Sequence, residues 1–262
     1  MKTVAVTGGS SGIGLAAARI FAENGFEVYE FSRSGSDNGK IKHIFCDVTD
    51  ENSVKEAFAE VIRRSGKLDI LVNNAGFGIS GAAEFTSLEQ AKKQFDVNFF
   101  GTVACSNEAV KYMRKSGGGT IVNVSSLAAP LSIPFQAFYS ASKSAVNSLT
   151  LAMANELRPF GIKVCAVMPG DVKTGFTAAR EKSTDGDELY SGVLQKSVST
   201  MEHDEQNGMS PEAIAKKIYK LASAKNPKPL STVGAQYKFL VSLAKVLPVR
   251  AVNRIIGMIY AK

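Results

Sequence analysis

A tyrosine and a lysine lie four residues apart in the segment Tyr139-Ser-Ala-Ser-Lys143, within a stretch typical of a helix. Residues at this spacing share one helix face, so the phenol and the ammonium can interact. A nearby ammonium favours phenolate and lowers the tyrosine pKa from its ordinary value of about 10. Such a phenol can transfer a proton, and the Ser126 hydroxyl can hydrogen-bond a developing oxyanion. Taken singly, a Tyr–Lys pair is more often an ordinary packing contact.

A glycine-rich turn near the start of the chain has the composition of a phosphate-binding site. It reads Thr7-Gly-Gly-Ser-Ser-Gly-Ile-Gly14 and stands between a strand-like and a helix-like segment. Glycine permits positive φ angles and close backbone approach, and a helix N-terminus offers free N–H groups to a pyrophosphate. The turn alone is a weak signal, but its position between strand and helix predicts a dinucleotide site.

Short β-branched segments alternate with helix-like segments through the first 170 residues. The predicted helices lie near residues 13–24, 51–65, 87–115 and 138–158. Apolar strands separated by helices indicate an α/β fold with a doubly wound parallel sheet of the Rossmann type. Right-handed crossovers would place a ligand at the carboxyl ends of the strands. The predicted strands are Thr3–Thr7, Glu27–Phe31, Ile41–Cys46, Ile70–Asn73, Thr120–Val124 and Lys163–Val167.

The charge of the chain is concentrated near its C-terminus. The formal net charge is +7, of which residues 211–262 contribute +9 and the rest −2. A nucleic-acid-binding domain would spread basic side chains over its main body, so that class of partner is disfavoured. Three widely spaced cysteines and a short N-terminal apolar stretch predict a cytoplasmic protein without a signal peptide. The two histidines are isolated, so no metal site is predicted.

Six motifs in register identify the chain as resembling the short-chain dehydrogenase/reductase family. The Gly turn has the spacing Thr7-Gly-x-x-x-Gly12-x-Gly14, and Asn73-Asn-Ala-Gly76 follows the fourth predicted strand. The remaining motifs are Asn98-Phe-Phe-Gly101, Val124-Ser-Ser126, Tyr139-x-x-x-Lys143 and Pro169-Gly170. The resemblance covers residues 3–174 closely and continues more loosely towards the C-terminus.

The resemblance implies roles for these positions. Ser126, Tyr139, Lys143 and Asn98 are the expected catalytic residues; Lys143 also holds the nicotinamide ribose, and Asn98 positions a water that links Lys143 to solvent. Hydride would pass between nicotinamide and a carbonyl or alcohol carbon, with the proton passing through Tyr139. The expected cofactor-binding residues are Gly8, Ser10, Ser11, Gly12, Ile13, Gly14, Ser32, Arg33, Asp47, Val48, Asn74, Ala75, Gly76, Tyr139, Lys143, Pro169, Gly170, Val172 and Thr174.

The end of the second predicted strand favours NADP over NAD. An acidic residue that binds the ribose 2′-OH of NAD is expected there, but the sequence has Ser32 followed by Arg33. A guanidinium and a hydroxyl suit a 2′-phosphate. Glu30 argues for NAD instead. If the predicted end of this strand were wrong by two residues, the Glu30 carboxylate would lie at the ribose. Ser10 and Ser11 also stand where many NADP-using members carry a basic residue.

The expected substrate end is apolar. The predicted substrate residues are Phe77, Ile79, Ser126, Ala128, Phe135 and Tyr139, with Gly78, Leu127, Ala129, Leu131 and Met168 nearby. This lining mildly favours a lipid-like, steroid-like or retinoid-like carbonyl compound. Residues 171–210 are predicted to form a loop with one or two short helices. This loop is either a lid over the site or a variable surface segment, and the sequence favours neither alternative.

Residues 235–262 form a basic tail with two apolar stripes separated by Pro248, a pattern typical of a pair of amphipathic helices. The tail is similar to those of hydroxysteroid and retinol dehydrogenase-like members. It could meet an anionic membrane surface or cover the substrate site. The alternative, which general experience with amphipathic helices favours, is that both stripes pack on the domain or on a second subunit.

These observations together predict an NADP(H)-dependent oxidoreductase with a catalytic domain in residues 1–234 and a helical extension in residues 235–262. A small apolar carbonyl compound or alcohol is the expected substrate, and the family resemblance implies a homo-oligomer. A 3-oxoacyl thioester reductase is an alternative that the long tail disfavours. A catalytically silent NADP-binding regulator is another alternative, because a fold does not fix a function.

Overall fold

The computed structural model describes residues 1–261, and its centre is a parallel sheet. Seven strands run in the order β3-β2-β1-β4-β6-β7-β9, and all neighbouring pairs are parallel. A separate parallel pair joins β5 to β8. The strands are β1 Thr3–Thr7, β2 Glu27–Ser32, β3 Ile41–Phe45, β4 Ile70–Asn73, β5 Ile79–Ser80, β6 Gly119–Val124, β7 Ile162–Met168, β8 Glu181–Lys182 and β9 Leu230–Thr232.

Helices connect the strands and cover both faces of the sheet. A π-helical turn, Asp96–Phe100, joins α3 to α4, and a 3₁₀ turn, Arg158–Phe160, follows α5. The helices are α1 Gly12–Glu23, α2 Glu51–Ser65, α3 Leu88–Phe95, α4 Gly101–Lys115, α5 Ala137–Glu156, α6 Phe176–Ala179, α7 Val193–Gln206, α8 Pro211–Ala222, α9 Ala235–Val246 and α10 Val249–Tyr260.

Alternate residues of each strand enter two separate cores. Val4 and Val6 of β1 pack with α1 and α8, whereas Ala5 between them packs with α2, α4 and α5. Successive side chains of a strand point to opposite faces, so a strand buried on both faces must be apolar throughout. This requirement explains why the strands are continuous apolar runs in the sequence.

The predicted doubly wound Rossmann-type fold is confirmed as a single domain. The six predicted strands are all present with ends within a residue of prediction, and the helices are present at the expected places. Three features differ. The predicted 87–115 helix is interrupted by the π-helical turn, residues 171–210 include the long helix α7, and the edge strand β9 and the β5–β8 pair were not anticipated.

Local signals in the sequence account for the ends of the later helices. The Ser210 side chain accepts a hydrogen bond from the backbone N–H of Ala213, and Pro211 occupies the first turn of α8. Serine as N-cap and proline in the first turn are favoured for this reason. Pro248 stands between α9 and α10, as predicted, because proline cannot continue a helix.

Candidate active site

A cavity of about 390 Å³ opens at the carboxyl ends of β1, β4, β6 and β7. The turn after β1 forms one end through Gly8, Ser10, Ser11, Gly12 and Ile13, and Asn74, Ala75 and Gly76 after β4 lie beside it. This is where a doubly wound sheet binds its ligand. The sequence therefore predicted the place of the cavity and most of the residues at this end.

The Gly turn folds back on itself so tightly that side chains cannot be accommodated. Gly8 and Gly12 have φ angles of 62° and 53°, in the left-handed region that favours glycine. Gly14 does not line the cavity; a Cβ at that position would lie 2.2 Å from the Gly8 carbonyl oxygen. The three glycines thus bring backbone, rather than side chains, to the edge of the cavity, which is the shape that a pyrophosphate requires.

Ser126, Tyr139 and Lys143 all line the middle of the cavity. Tyr139 and Lys143 lie on α5, and the ammonium nitrogen of Lys143 is 5.9 Å from the centroid of the Tyr139 ring. That ammonium donates a 2.9 Å hydrogen bond to the carbonyl of Val124 at the end of β6. The Ser126 hydroxyl accepts a 3.1 Å bond from the Ala128 backbone N–H. The end of β6 and one face of α5 thus bring the side chains of Ser126, Tyr139 and Lys143 together.

The pKa values of the pair differ from the sequence-based expectation. Burial raises the pKa of Tyr139 to about 12, although the neighbouring Ser126 hydroxyl works to lower it. Burial also lowers the pKa of Lys143 to about 8. The predicted lowering of the tyrosine pKa is therefore wrong for the protein chain alone, because desolvation of the buried phenolate is the largest effect on it. Tyr139 is a neutral phenol at physiological pH.

Asn98 is completely buried in the π-helical turn beside the cavity. Its side-chain oxygen accepts a 3.0 Å bond from the Phe77 N–H, and its amide donates to the Phe77 carbonyl and to the Ser142 hydroxyl. It does not line the cavity, but a Cβ on Gly76 would lie 3.1 Å from its oxygen and 3.4 Å from the Lys143 nitrogen. Asn98 therefore fixes the segment after β4 next to Lys143.

The predicted adenosine-binding residues lie outside the cavity. Glu30 is buried, and its carboxylate accepts bonds from the Ser32 hydroxyl, at 3.2 Å, and from the His43 ring. Both contacts are made by one oxygen of the carboxylate, and the other oxygen is buried without a hydrogen-bond partner within the described residues. Glu30 is therefore enclosed by protein and does not line the cavity. Arg33 is exposed at the end of β2, where its guanidinium is free to reach solvent.

The carboxylate of Asp47 lies close to Arg33 beside the same strand ends. Burial works to raise the pKa of Asp47, but hydrogen bonds from Thr49 and then the charge of Arg33 bring it below its ordinary value. Val48 packs against Gly101. Neither Asp47 nor Val48 lines the cavity.

Residues after β7 close the other side of the Gly turn. Pro169, Gly170, Val172 and Thr174 line the cavity, as predicted. A Cβ on Gly12 would lie 3.5 Å from the Thr174 side chain, so this segment and the Gly turn face each other closely.

Two predicted substrate residues do not line the cavity. Phe77 and Ala128 do, together with Leu127 and Leu131. Ile79 instead lies in β5, whose pairing with β8 directs it into protein, and Phe135 packs against Tyr190 with a φ angle of 58°. Gly78, Ala129 and Met168 likewise lie outside the lining. The β5–β8 pair and the bend at Phe135 have no clear sequence signal, so the sequence alone does not show that these positions lie outside the cavity lining.

The apolar end of the cavity has further lining residues from the two segments that the sequence analysis places over or near the site, although these individual residues were not named there. They come from the segment after β7 and from the tail, and they are Asp171, Gly175, Phe176, Ala179, Met201, Glu205, Tyr237, Leu240, Ile256, Ile259 and Tyr260. Amphipathic periodicity predicts apolar faces in the tail, and residues of both tail helices line the cavity. The inner tail residues Tyr237, Val241 and Ile256 are buried, whereas Phe239, Val246 and Val249 are 70%, 78% and 85% exposed.

Comparison with known proteins agrees with this geometry. The sequence model of the short chain dehydrogenase family matches residues 2–185. The chain belongs to the short-chain dehydrogenase family. It is therefore an NAD(P)-dependent oxidoreductase, as the motifs predicted.

Three similar proteins illustrate the range of this family. The 3-ketodihydrosphingosine reductase of Bacteroides thetaiotaomicron is 40% identical over 247 residues, which are 93% of this chain and 92% of that protein. A short-chain dehydrogenase from Streptomyces avermitilis has a TM-score of 0.85 at 29% identity and covers 95% of this chain and 94% of its own. ElxO with NADP bound has a TM-score of 0.75 at 32% identity, with 91% and 99% covered.

No helix within residues 1–261 of this short-chain dehydrogenase is long and apolar enough to span a membrane. The amphipathic tail helices α9 and α10 have 12 residues each.

The buried ammonium of Lys143 makes a testable contribution to stability. Replacing Lys143 with Met should raise the free energy of unfolding at about pH 7 by about 1–3 kcal/mol, because a buried charge is removed. The unfolded lysine titrates near 10.5 and the folded one at about 8. Between these values the unfolded state binds more protons, so wild-type stability rises with pH.

The difference in the free energy of unfolding between Lys143→Met and the wild-type protein should therefore become smaller between about pH 7 and about pH 9.5. Urea unfolding of both proteins at the two pH values measures it. A difference that does not change with pH would contradict the lowered pKa of Lys143.

Proposed function

We propose that this short-chain dehydrogenase reduces the ketone of an amphiphilic lipid-like substrate with NADPH, and that 3-ketodihydrosphingosine is the leading candidate. The observation that carries the proposal is the position of Ser126, Tyr139 and Lys143. They stand between the glycine-lined end of one cavity and its apolar end. A cofactor at the first end and a substrate at the second would meet at the three polar groups.

The shape and chemistry of the first end fit a dinucleotide. The positive φ angles of Gly8 and Gly12 and the backbone contact at Gly14 leave a cradle that side chains would fill. In this proposal the Gly turn holds the pyrophosphate, Asn74 to Gly76 and Lys143 meet the nicotinamide ribose, and Pro169 to Thr174 meet the nicotinamide. When bound, NADPH supplies the hydride.

The protein residues hold the ketone and supply the proton. Ser126 hydrogen-bonds the carbonyl oxygen, and Tyr139 donates its phenolic proton to that oxygen as negative charge develops there. The raised pKa of Tyr139, about 12, keeps the phenol protonated and so suits the reductive direction. Lys143 orients the ribose and places a positive charge near the Tyr139 ring. Asn98 positions the segment after β4 that faces Lys143.

Arg33 and Ser32 support the choice of NADPH. Both lie at the end of β2, and the only carboxylate on that strand near them, Glu30, is buried and already hydrogen-bonded. A guanidinium binds a phosphate dianion through charge-assisted hydrogen bonds. Among similar proteins, one of known structure binds NADP.

Replacing Arg33 with Ala should lower kcat/KM for NADPH by about 10-fold or more, because a charge-assisted hydrogen bond is lost. The value for NADH should change little, since NADH has no 2′-phosphate. Steady-state kinetics with both cofactors measures the effect, and Arg19→Ala, an exposed arginine of α1, is the control for net charge. Equal losses with NADPH and NADH would contradict the assignment, as would a wild-type preference for NADH.

The substrate end of the cavity supports an apolar chain. Its aliphatic walls come from the loop after β6, from α7 and from the tail, through Leu127, Leu131, Ile133, Met201, Leu240, Ile256 and Ile259. Burial of alkyl groups in such a pocket is favourable in proportion to the area removed from water. The similarity to a 3-ketodihydrosphingosine reductase agrees with such a substrate.

The test is NADPH oxidation over a set of ketones. It should include 3-ketodihydrosphingosine, a steroid, a retinal, an acetoacetyl thioester and small diketones. The long-chain ketone should have the highest kcat/KM. A preference for the thioester would replace the proposal with the thioester reductase alternative. No turnover of any compound, with NADPH bound, would indicate a silent NADP-binding protein.

We also propose that three segments of the chain have different roles. Residues 1–234 form the catalytic unit, residues 171–210 act as a lid, and residues 235–262 form an outer wall of the substrate end. Contacts of α6 and α7 with the cavity support the lid, and contacts of α9 and α10 support the wall. The free, buried cysteines agree with a cytoplasmic location, and self-association follows from the family resemblance.

The outer face of the tail is proposed to rest on an anionic membrane surface. Phe239, Val246 and Val249 are exposed there, and Lys238, Lys245 and Arg250 lie next to them in the sequence. Exposed apolar side chains flanked by basic ones are typical of interfacial helices. Such a contact would present the substrate end to a membrane in which a long-chain ketone dissolves.

Wild-type protein should sediment with vesicles that contain anionic lipid and much less with purely zwitterionic vesicles. The double variant F239S/V246S should lose most of this binding, because the exposed apolar contacts are removed. Leu189→Ser is the control, since Leu189 is 71% exposed but lies outside the tail. Failure of the wild-type protein to bind anionic vesicles would remove the membrane proposal.

A further inference from the structure

The substrate end of the cavity contains two carboxylates and little positive charge. Asp171 and Glu205 line it, and Lys143 is the only basic side chain among the lining residues of the described chain, residues 1–261. The Lys143 ammonium is hydrogen-bonded to the Val124 carbonyl and is needed on the cofactor side. A neutral ketone with an alkyl chain offers these carboxylates no positively charged group to bind.

Glu205 is held rigidly in the last turn of α7. One of its oxygens accepts a bond from Arg180, and the other accepts a 2.6 Å bond from the Thr177 hydroxyl. The Arg180 side chain is 1% exposed and that of Glu205 is 14% exposed, so only the carboxylate of this ion pair reaches the cavity. A carboxylate has about four lone-pair positions, and two therefore remain available for a ligand.

Asp171 adds a second negative charge nearby. Its carboxylate accepts a 2.7 Å bond from the Tyr237 hydroxyl and has no basic partner among the described ion pairs. Burial raises the pKa of Asp171, and the charges of Asp204 and Glu205 raise it further. Two carboxylates balanced by one buried guanidinium leave this end of the cavity negative, and it therefore repels anionic substrates.

Glu205 is also close to the reacting atoms. Apart from burial, its charge contributes to raising the pKa of Tyr139, and the Tyr139 ring lies 5.7 Å from that of Phe176, on which Arg180 also stacks. A cation bound by Glu205 would thus lie in the same cavity as the carbonyl that Tyr139 protonates.

We propose that Glu205 is a specificity-determining residue that binds an ammonium group next to the substrate ketone, so that the site selects amino ketones with long apolar chains. The inference rests on the proposed ketone reduction and adds the chemical class of its substrate. Asp171 reinforces the negative potential, and Arg180 and Thr177 position the Glu205 carboxylate. 3-Ketodihydrosphingosine has this arrangement, with an amine on the carbon beside the ketone.

The test compares ketones that differ only at the amine. Wild-type protein should reduce 3-ketodihydrosphingosine with a kcat/KM about 10- to 100-fold above that of its N-acetyl derivative and of 1-hydroxyoctadecan-3-one, as expected for one charge-assisted hydrogen bond. Glu205→Gln should lose activity on the amino ketone only and so abolish the preference. Glu202→Gln, on the same helix and paired with Lys182 outside the cavity, should retain it.

A second variant covers the risk that Glu205→Gln leaves Arg180 buried without a partner. The double replacement R180M/E205Q removes both charges and should be better tolerated. It should show the same loss of preference. Equal losses on charged and neutral ketones in both variants would mean that the pair only anchors α7, and would overturn the proposal. A wild-type protein that reduces all three ketones equally would overturn it while leaving ketone reduction intact.

A binding measurement separates this inference from the proposed function. In calorimetry with NADP present, dihydrosphingosine should bind more tightly than its N-acetyl derivative to the wild-type protein, and equally to Glu205→Gln. Equal affinities in the wild-type protein would overturn the inference whatever the turnover. Selective binding of the amine without reduction of any ketone would instead contradict the proposed function alone.

Discussion

Replacing Tyr139 with Phe should lower kcat by about 10³-fold or more, because the variant lacks the group that protonates the ketone oxygen. The phenol lines the same cavity as Ser126, and the Lys143 ammonium donates its hydrogen bond to the Val124 carbonyl. The ring itself packs against Phe176, and phenylalanine preserves that contact. The loss should therefore appear in turnover rather than in folding.

Two measurements separate lost chemistry from a damaged site. The Kd of NADPH, from fluorescence titration, should change by less than about threefold, because the hydroxyl is proposed to act on the substrate oxygen. Tyr190→Phe is the matched control, since Tyr190 bonds Glu84 outside the cavity and should retain full activity. Substantial turnover by Tyr139→Phe would overturn the proposed mechanism.

Replacing Gly14 with Ala should weaken NADPH binding severely and destabilise the fold by about 1–3 kcal/mol, as expected for overpacking. The new Cβ would lie 2.2 Å from the Gly8 carbonyl oxygen and 2.5 Å from the Asn74 amide nitrogen. Both atoms belong to the proposed pyrophosphate and ribose cradle, and neither can move without opening the turn. Differential scanning fluorimetry with and without NADPH measures both effects, since bound ligand raises the apparent Tm.

Gly257→Ala provides the control for this variant. Gly257 lies in α10, and a Cβ there meets no atom within 4 Å. Alanine is favoured over glycine in a helix by up to about 1 kcal/mol, so this variant should be neutral or slightly stabilised. A Gly14→Ala protein with normal stability and normal NADPH affinity would contradict the proposed role of the turn.

Much of the cofactor end could be predicted because its signals are local. The spacing of Tyr139 and Lys143 requires only one helix, and the Gly turn requires only a strand followed by a helix. Parallel strand order then brings the segments after β1, β4, β6 and β7 to one edge of the sheet. The structure accordingly brings most of these residues together around one cavity.

The substrate end was less predictable because it depends on contacts between distant segments. Ile79 was misplaced because its neighbour is β8, about a hundred residues later in the chain. Glu205 has no sequence signal of its own, because it lies in the helix α7 and pairs with a buried arginine that is distant along the chain. The pKa of Tyr139 was misjudged for a related reason, since the sequence shows the neighbouring ammonium but not the depth of burial.

The chain is proposed to transfer hydride from NADPH to a ketone carbon. The most direct measurement uses NADPH with deuterium in place of both hydrogens at nicotinamide C4 and 3-ketodihydrosphingosine as substrate, followed by mass spectrometry of the product. The expected product is dihydrosphingosine with one deuterium on the former carbonyl carbon. One molecule of this alcohol should form for each molecule of NADP⁺ released. NADPH consumed without deuterium in the alcohol, or a bound cofactor with no alcohol formed, would contradict it.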